Sequence, residues 1–174
     1  MKKMLVPSLL VLGFLASVGV PQALAQTDTF MLVPNIRGSS TDSQHIGWIN
    51  VISLAQTLVV PAAPSAAGAG GGPQPQCSME VLKGLDISGP LLWGAAATFR
   101  RLDLVTIEVQ THNPERPVPL LIYQIKLHDA FVTAITTTGN GFFAERLTLS
   151  ASIVDLKFLP NGPAGVVISR TFAC

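Results

Sequence analysis

An excess of basic residues is missing from this sequence: eleven lysines and arginines face ten aspartates and glutamates, a formal charge of +1. That excludes the clustered positive charge of a nucleic-acid footprint. Cysteine is scarce. Cys77 and Cys174 are the only two, and neither has a CxxC partner or a histidine nearby in sequence, which argues against a thiolate metal site. No GxSxG is present, so there is no nucleophile elbow. The glycine run at 68–72 lacks the following Lys-Ser/Thr that would hold phosphate and metal. After residue 25 no apolar run is long enough to span a membrane, and no internal repeat stands out.

What is present begins with an export pattern. Lys2 and Lys3 precede an almost wholly apolar run, Met4 to Val20, and Ala23-Leu24-Ala25 fits the small-x-small pattern of signal peptidase. The expectation is a signal peptide over 1–25, cut between Ala25 and Gln26. No cysteine follows the run to carry a lipid, so no stable membrane anchor is expected after removal. Without Lys2 and Lys3, nine basic residues face ten acidic ones, for a formal charge of −1. Residues 26–174 suit one domain with a substantial core. An exported chain meets oxidising conditions, so Cys77 and Cys174 are expected to form a disulfide.

Strand patterns dominate the rest. Thr29 to Ile36 reads as a strand that Pro34 restricts to an edge or terminal position. Ile46 to Leu54 places Trp48, Ile52 and Leu54 on one face and Ile49 and Val51 on the other. From Thr57 to Gln76 the composition turns to Pro, Ala and Gly, a long flexible loop. Ser78 to Leu85 is a further strand. Ser88-Gly89-Pro90 starts a helix whose Leu91, Ala95 and Phe99 form an apolar stripe and which Arg100 and Arg101 close.

Strands follow at Leu104–Thr111, Leu120–Leu127, Phe131–Thr137, Arg146–Leu159 and Val166–Phe172, with Val105, Ile107 and Val109 inward in the first. His112 to Pro117 reads as a hairpin loop, and Thr138 to Gly141 and Pro160 to Gly162 as turns. The class is mainly β, a sandwich or barrel with one helix at its side.

The stretch Asp42-Ser43-Gln44-His45 raises the question of a hydrolase. On an extended segment Ser43 and His45 share a face with Cα atoms about 6.6 Å apart, and Asp42 points away. The three groups do not converge as acyl-transfer chemistry requires. His45, His112 and His128 lack close ligand spacing, so solvated or capping roles are expected and no metal. Glu145 and Arg146 are expected to form a local ion pair. No catalytic residue and no cofactor is expected.

In order and spacing, D-S-x-H-x-G-W-I-x-V (42–51), K-x-L-D-x-S-x-P-L-L (83–92) and E-R-L-T-L (145–149) resemble the Hcp family, the haemolysin-coregulated tube proteins of type VI secretion systems. The similarity covers roughly residues 29–160. It implies a β-barrel of two sheets with one helix at the side, and a non-enzymatic subunit assembling as homo-hexameric rings that stack into a tube. Its lumen holds small effector proteins. It also implies that the loop 57–76, with Gly68, Gly70, Gly71 and Gly72, contacts a neighbouring ring. Within this barrel Asp42 to His45 caps the start of a strand and Trp48 packs. The sequence departs from the family in its export signal, its Pro/Ala-rich loop and its cysteine pair. The expected place is periplasmic or extracellular. The rival expectations are a monomeric exported binding module on the same barrel, and an exported hydrolase using Ser43 and His45.

Overall fold

The computed structural model describes residues 26–60, 75–112, 118–139, 141–160 and 167–174. The expected signal peptide, Ala25 and Gly68 to Gly72 lie outside them. Among the described residues, eight strands and one helix follow one another as β1 (Gln26–Leu32), β2 (Ile49–Val59), β3 (Gln76–Gly84), α1 (Gly89–Ala97), β4 (Leu102–His112), β5 (Leu120–Gly139), β6 (Phe143–Ala151), β7 (Ile153–Phe158) and β8 (Ile168–Ala173).

All strand pairings are antiparallel, and the order is β4-β1-β2-β3-β6-β5-β7-β8 with β4 also pairing β5. Six strands, β1-β2-β3-β6-β5-β4, therefore close on themselves, and β7-β8 extends from β5. The fold is the expected mainly β barrel with a helix at its side. Its two walls are parts of one continuous sheet, because β5 serves both. Up to Ala130 it pairs with β4, and from Phe131 it pairs with β6. Asp129 lies at the changeover with a φ of 50°. The two strands expected at 120–127 and 131–137 are thus one strand of 20 residues.

The closure buries at least one fully enclosed apolar side chain from each strand of the ring, among them Met31, Ile49, Val81, Ile107, Ile125 and Leu147. Each removes about 1.5–3 kcal/mol of apolar surface energy from water. Leu92 of α1 is equally buried and joins the same core.

Several local expectations are corrected. β1 is not an edge, since it lies between β4 and β2. It ends before Pro34, which sits in a turn, so the missing amide costs no ladder bond. The second strand starts at Ile49, leaving Ile46 exposed in a turn. Ile49 and Val51 point inward, so Ile52 faces solvent, and a bulge between Val51 and Ser53 then shifts the alternation and brings Leu54 against the core. The loop assigned to 57–76 is shorter, because Thr57 to Val59 and Gln76 are paired with each other's strands.

The helix buries Leu92 and Ala95, while Leu91 and Phe99 are exposed. It ends at Ala97, with Phe99 beyond it at positive φ, so Arg100 and Arg101 lie outside its last turn. Opposite Val109 and Gln110 of β4, β5 bulges at Ile122. Val109 is only half-buried, and Gln110, on the face of Glu108, is buried under the histidine loop, where its amide donates to Gln44 Oε1 at 2.8 Å. The long strand expected at 146–159 breaks at Ser152, whose amide donates to the His128 carbonyl. After the break Val154 is buried and Ile153 is not. The last strand begins at Ile168, two residues later than expected, and His112 belongs to β4 rather than a loop.

Candidate functional site

The segment joining β1 to β2 holds the histidine motif. It is a built loop. The Gly38 amide donates to the Gly47 carbonyl at 2.8 Å and the Ser40 amide to the Trp48 carbonyl at 2.9 Å. A Cβ on Gly38 would lie 2.3 Å from the Trp48 carbonyl oxygen, so only glycine permits this approach.

Inside the loop, His45 is buried and stacks on Phe30 with ring centroids 4.2 Å apart. Trp48 meets it edge-on at 4.7 Å. Its Nδ1 lies 2.7 Å from Asp42 Oδ1 and its Nε2 lies 2.9 Å from Glu108 Oε2 of β4. Gln124 of β5 donates to the other oxygen of Glu108 at 2.7 Å. The His45 hydrogen bond, helped by the Gln44 amide, holds the Asp42 carboxyl below the usual carboxylate range against the opposing effect of burial.

This geometry disposes of the hydrolase. Both ring nitrogens of His45 are committed to carboxylates, so neither is free to take a proton from the exposed Ser43. The expectation of a solvated or strand-capping histidine is also corrected, because the ring is enclosed by aromatic side chains and ties the loop to β4. His112 and His128 are half-exposed and pair with Asp28 at 2.7 Å and Asp155 at 2.8 Å. The Thr171 hydroxyl of β8, donating at 2.6 Å, and then His128 hold Asp155 low. Among the described residues no group of three or more His, Cys, Asp or Glu is arranged to hold a metal.

A second buried polar cluster lies at the start of α1. Lys83 of β3 has no exposed surface, yet its ammonium reaches Glu145 Oε2 at 2.5 Å, Asp86 Oδ1 at 2.9 Å and the Gly84 carbonyl at 2.9 Å. The Trp93 indole N–H of α1 donates to the other oxygen of Glu145 at 3.3 Å. Burial pushes the Asp86 carboxyl up, but hydrogen bonds from Lys83 and Ser88 and the Lys83 charge outweigh it and hold the group low.

Asp86 Oδ2 also accepts from the Ser39 amide at 3.2 Å and hydroxyl at 3.3 Å, so the same carboxylate grips the histidine loop. The expected Glu145–Arg146 pair does not form. Neighbours on a strand point to opposite faces, and Arg146 instead pairs outside with Glu80 of β3.

The three motifs singled out in the sequence are therefore these two clusters: Asp42 and His45 in one, Lys83, Asp86, Ser88 and Glu145 in the other. They fasten one loop and one helix to the barrel, and a charged group removed from water in this way must be paired. Sequence reasoning missed Glu108 and, although Lys83 opens the second motif, gave it no buried role. The signal available was a charged residue in an otherwise apolar strand pattern.

The surface left for contacts is strand edge. Among the described residues, β2 from Ser53 to Val59 pairs only with β3, and β8 pairs only with β7. Both edges carry exposed apolar side chains, Leu58 and Val59 on one, Ile168 and Phe172 on the other. Cys77 of β3 and Cys174 after β8 are joined by a disulfide, with Cα atoms 5.4 Å apart. Gln26, the first residue after the expected cleavage, begins β1 opposite His112. Among the described residues no helix is long and apolar enough to cross a membrane.

Comparison with known proteins accords with this geometry. The model of one family, "Type VI secretion system effector, Hcp", matches residues 30–158. No curated protein matches the chain. Among solved structures, Hcp1 from Salmonella typhimurium superposes with a TM-score of 0.70 at 21% identity, over 86% of this chain and 95% of that one. A type VI secretion system effector from Yersinia pestis gives 0.66 at 19%, over 84% and 100%. The secreted protein Hcp3 from Pseudomonas aeruginosa gives 0.62 at 13%, over 87% and 100%.

Proposed function

This chain belongs to the type VI secretion system effector family Hcp, and from that membership we propose that it is a structural, non-enzymatic subunit that is exported and assembles as homo-hexameric rings. The observation that carries the reading is that, among the described residues, β2 from Ser53 to Val59 and β8 each pair on one side only. An exposed apolar edge is a template for another strand. Two different edges on one chain make a head-to-tail contact, which closes into a ring when the rotation per subunit permits. The buried polar clusters support a structural role, since they hold shape and offer no proton to a substrate.

Residues 1–25 direct export in this reading, and the ring's lumen holds small effector proteins. The loop containing Gly68, Gly70, Gly71 and Gly72 contacts a neighbouring ring. The compartment is periplasmic or extracellular, where the disulfide persists.

The test is the native mass of the purified protein by light scattering, with negative-stain images of the same peak. A species near six chains with a ring outline supports the proposal. A clean monomer overturns it and favours a binding module on the same barrel. Leu58→Lys together with Ile168→Lys, each placing a charge on a free edge, is expected to convert the ring to monomer without unfolding the barrel.

A further inference from the structure

Beyond assembly, we propose that the pocket between the two walls of the barrel is a binding site for a compact apolar molecule, aromatic or branched aliphatic, carrying at most one small polar group. The pocket has a volume of about 180 Å³. Met79, Leu127, Leu149, Ala151 and Val154 form its buried floor, drawn from β3, β5, β6 and β7. Its rim is exposed and mixed: Gln56, Thr57 and Leu58 of β2 on one side and Phe172 of β8 on the other.

Size and lining decide the ligand class. An apolar cavity of roughly 150 Å³ stays dry and takes a molecule of benzene's size. A water entering this floor would find none of the polar partners it needs, whereas a small ring would recover the dispersion contacts the lining lacks. The volume is too small for a peptide segment. The polar side chains are few: Gln56 and Thr57 at the rim and the half-buried Ser78 of β3, with Gln56 held in place by the Tyr123 hydroxyl, which donates to its Oε1 at 3.1 Å. That pattern, an apolar body with a few polar groups at the opening, is the usual form of a small-molecule site.

The disulfide gives the site its wall. Cys77 lines the pocket, and its partner Cys174 ends the strand that carries Phe172. The Cys174 amide also donates to the Ser152 carbonyl at 2.8 Å. The bond therefore fixes the rim of β8 against β3.

The experiment is a titration of the purified protein with benzene, followed by methyl ¹H–¹³C correlation spectra. Saturable shifts confined to Met79, Leu127, Leu149, Val154 and Leu156 are expected. Ala151→Phe, which fills the floor, is expected to weaken binding about tenfold or more. Phe172→Ala changes an exposed side chain and leaves folding intact, so it serves where the filling variant does not fold. It is expected to weaken binding several-fold, as is Cys174→Ser. Absence of saturable shifts, shifts elsewhere, or affinity unchanged in Phe172→Ala overturns the proposal. A change in native mass in these variants without benzene binding to the parent protein would assign the pocket to a side chain of a second copy, and would equally overturn it. Leu58 and Phe172 also stand on the edges proposed above as subunit contacts, so native mass is recorded alongside each titration.

Discussion

Lys83→Met separates a buried charge cluster from a surface ion pair. The substitution keeps the length of the apolar stem but removes the ammonium from between Glu145 and Asp86, whose side chains are only 4% and 8% exposed. Removing one partner of a buried pair leaves the other charge uncompensated and costs about 3–5 kcal/mol. At a urea slope of about 2 kcal/mol/M, that lowers the unfolding midpoint by roughly 1.5–2.5 M.

Arg146→Gln is the matched control. Arg146 and Glu80 are about half exposed, so breaking their pair costs about 0.2–1 kcal/mol. Trp48 and Trp93 provide the fluorescence signal, and Trp93 reports directly because its indole touches Glu145. Lys83→Met combined with Glu145→Gln should lose less than the two single variants together, by about 0.5–3 kcal/mol, since both act on one cluster. A loss under about 1 kcal/mol for Lys83→Met, or a larger loss for Arg146→Gln, would refute the account of the cluster.

Gly38→Ala is expected to destabilise by about 1–3 kcal/mol, because its Cβ would lie within 2.6 Å of the backbone at Trp48 and Ile49. Gly84→Ala, with nothing within 4 Å of the added atom, is expected within about 0.5 kcal/mol of the parent in the same thermal melts. Asp86→Asn addresses pH. Asp86 is held below its unfolded value, so its contribution is present above the ordinary carboxylate range and disappears as pH falls through the lowered value. The variant should lose stability at neutral pH and show a shallower acid limb in pH-dependent denaturation, and an unchanged acid limb would contradict this.

The strand pattern was legible wherever an apolar face alternates without interruption. Ile107 in β4, Leu147 and Leu149 in β6 and Val81 in β3 are all buried along stretches read as strands. It failed where the sheet changes course. The bulges at Ile52 in β2 and Ile122 in β5 each insert one residue and shift the alternation beyond it, which an alternation count cannot register. Ser152 divides β6 from β7 for the same reason: the residues on both sides are strand-formers, and the break follows from bonds to His128 and Cys174 that are distant in sequence.

The candidate site divides similarly. Its motifs stood out in sequence, but the partners did not. Glu108 is 63 residues from His45, and Glu145 is 62 residues from Lys83. Glu145 and Arg146 read as a pair because they are adjacent, yet strand geometry sends them to opposite faces.

By itself the sequence determined the mainly β class, the place of the helix start at Ser88-Gly89-Pro90 and the family, because local alternation, turn chemistry and motif order need no knowledge of distant neighbours. The tertiary structure alone decided that β1 and β4 close the barrel, that β5 bends at Asp129 to serve both walls, and that His45 ties the loop to Glu108 and Lys83 ties the start of the helix to Glu145. Each of these depends on which residues meet across the closed sheet, and closure is a property of all six strands together.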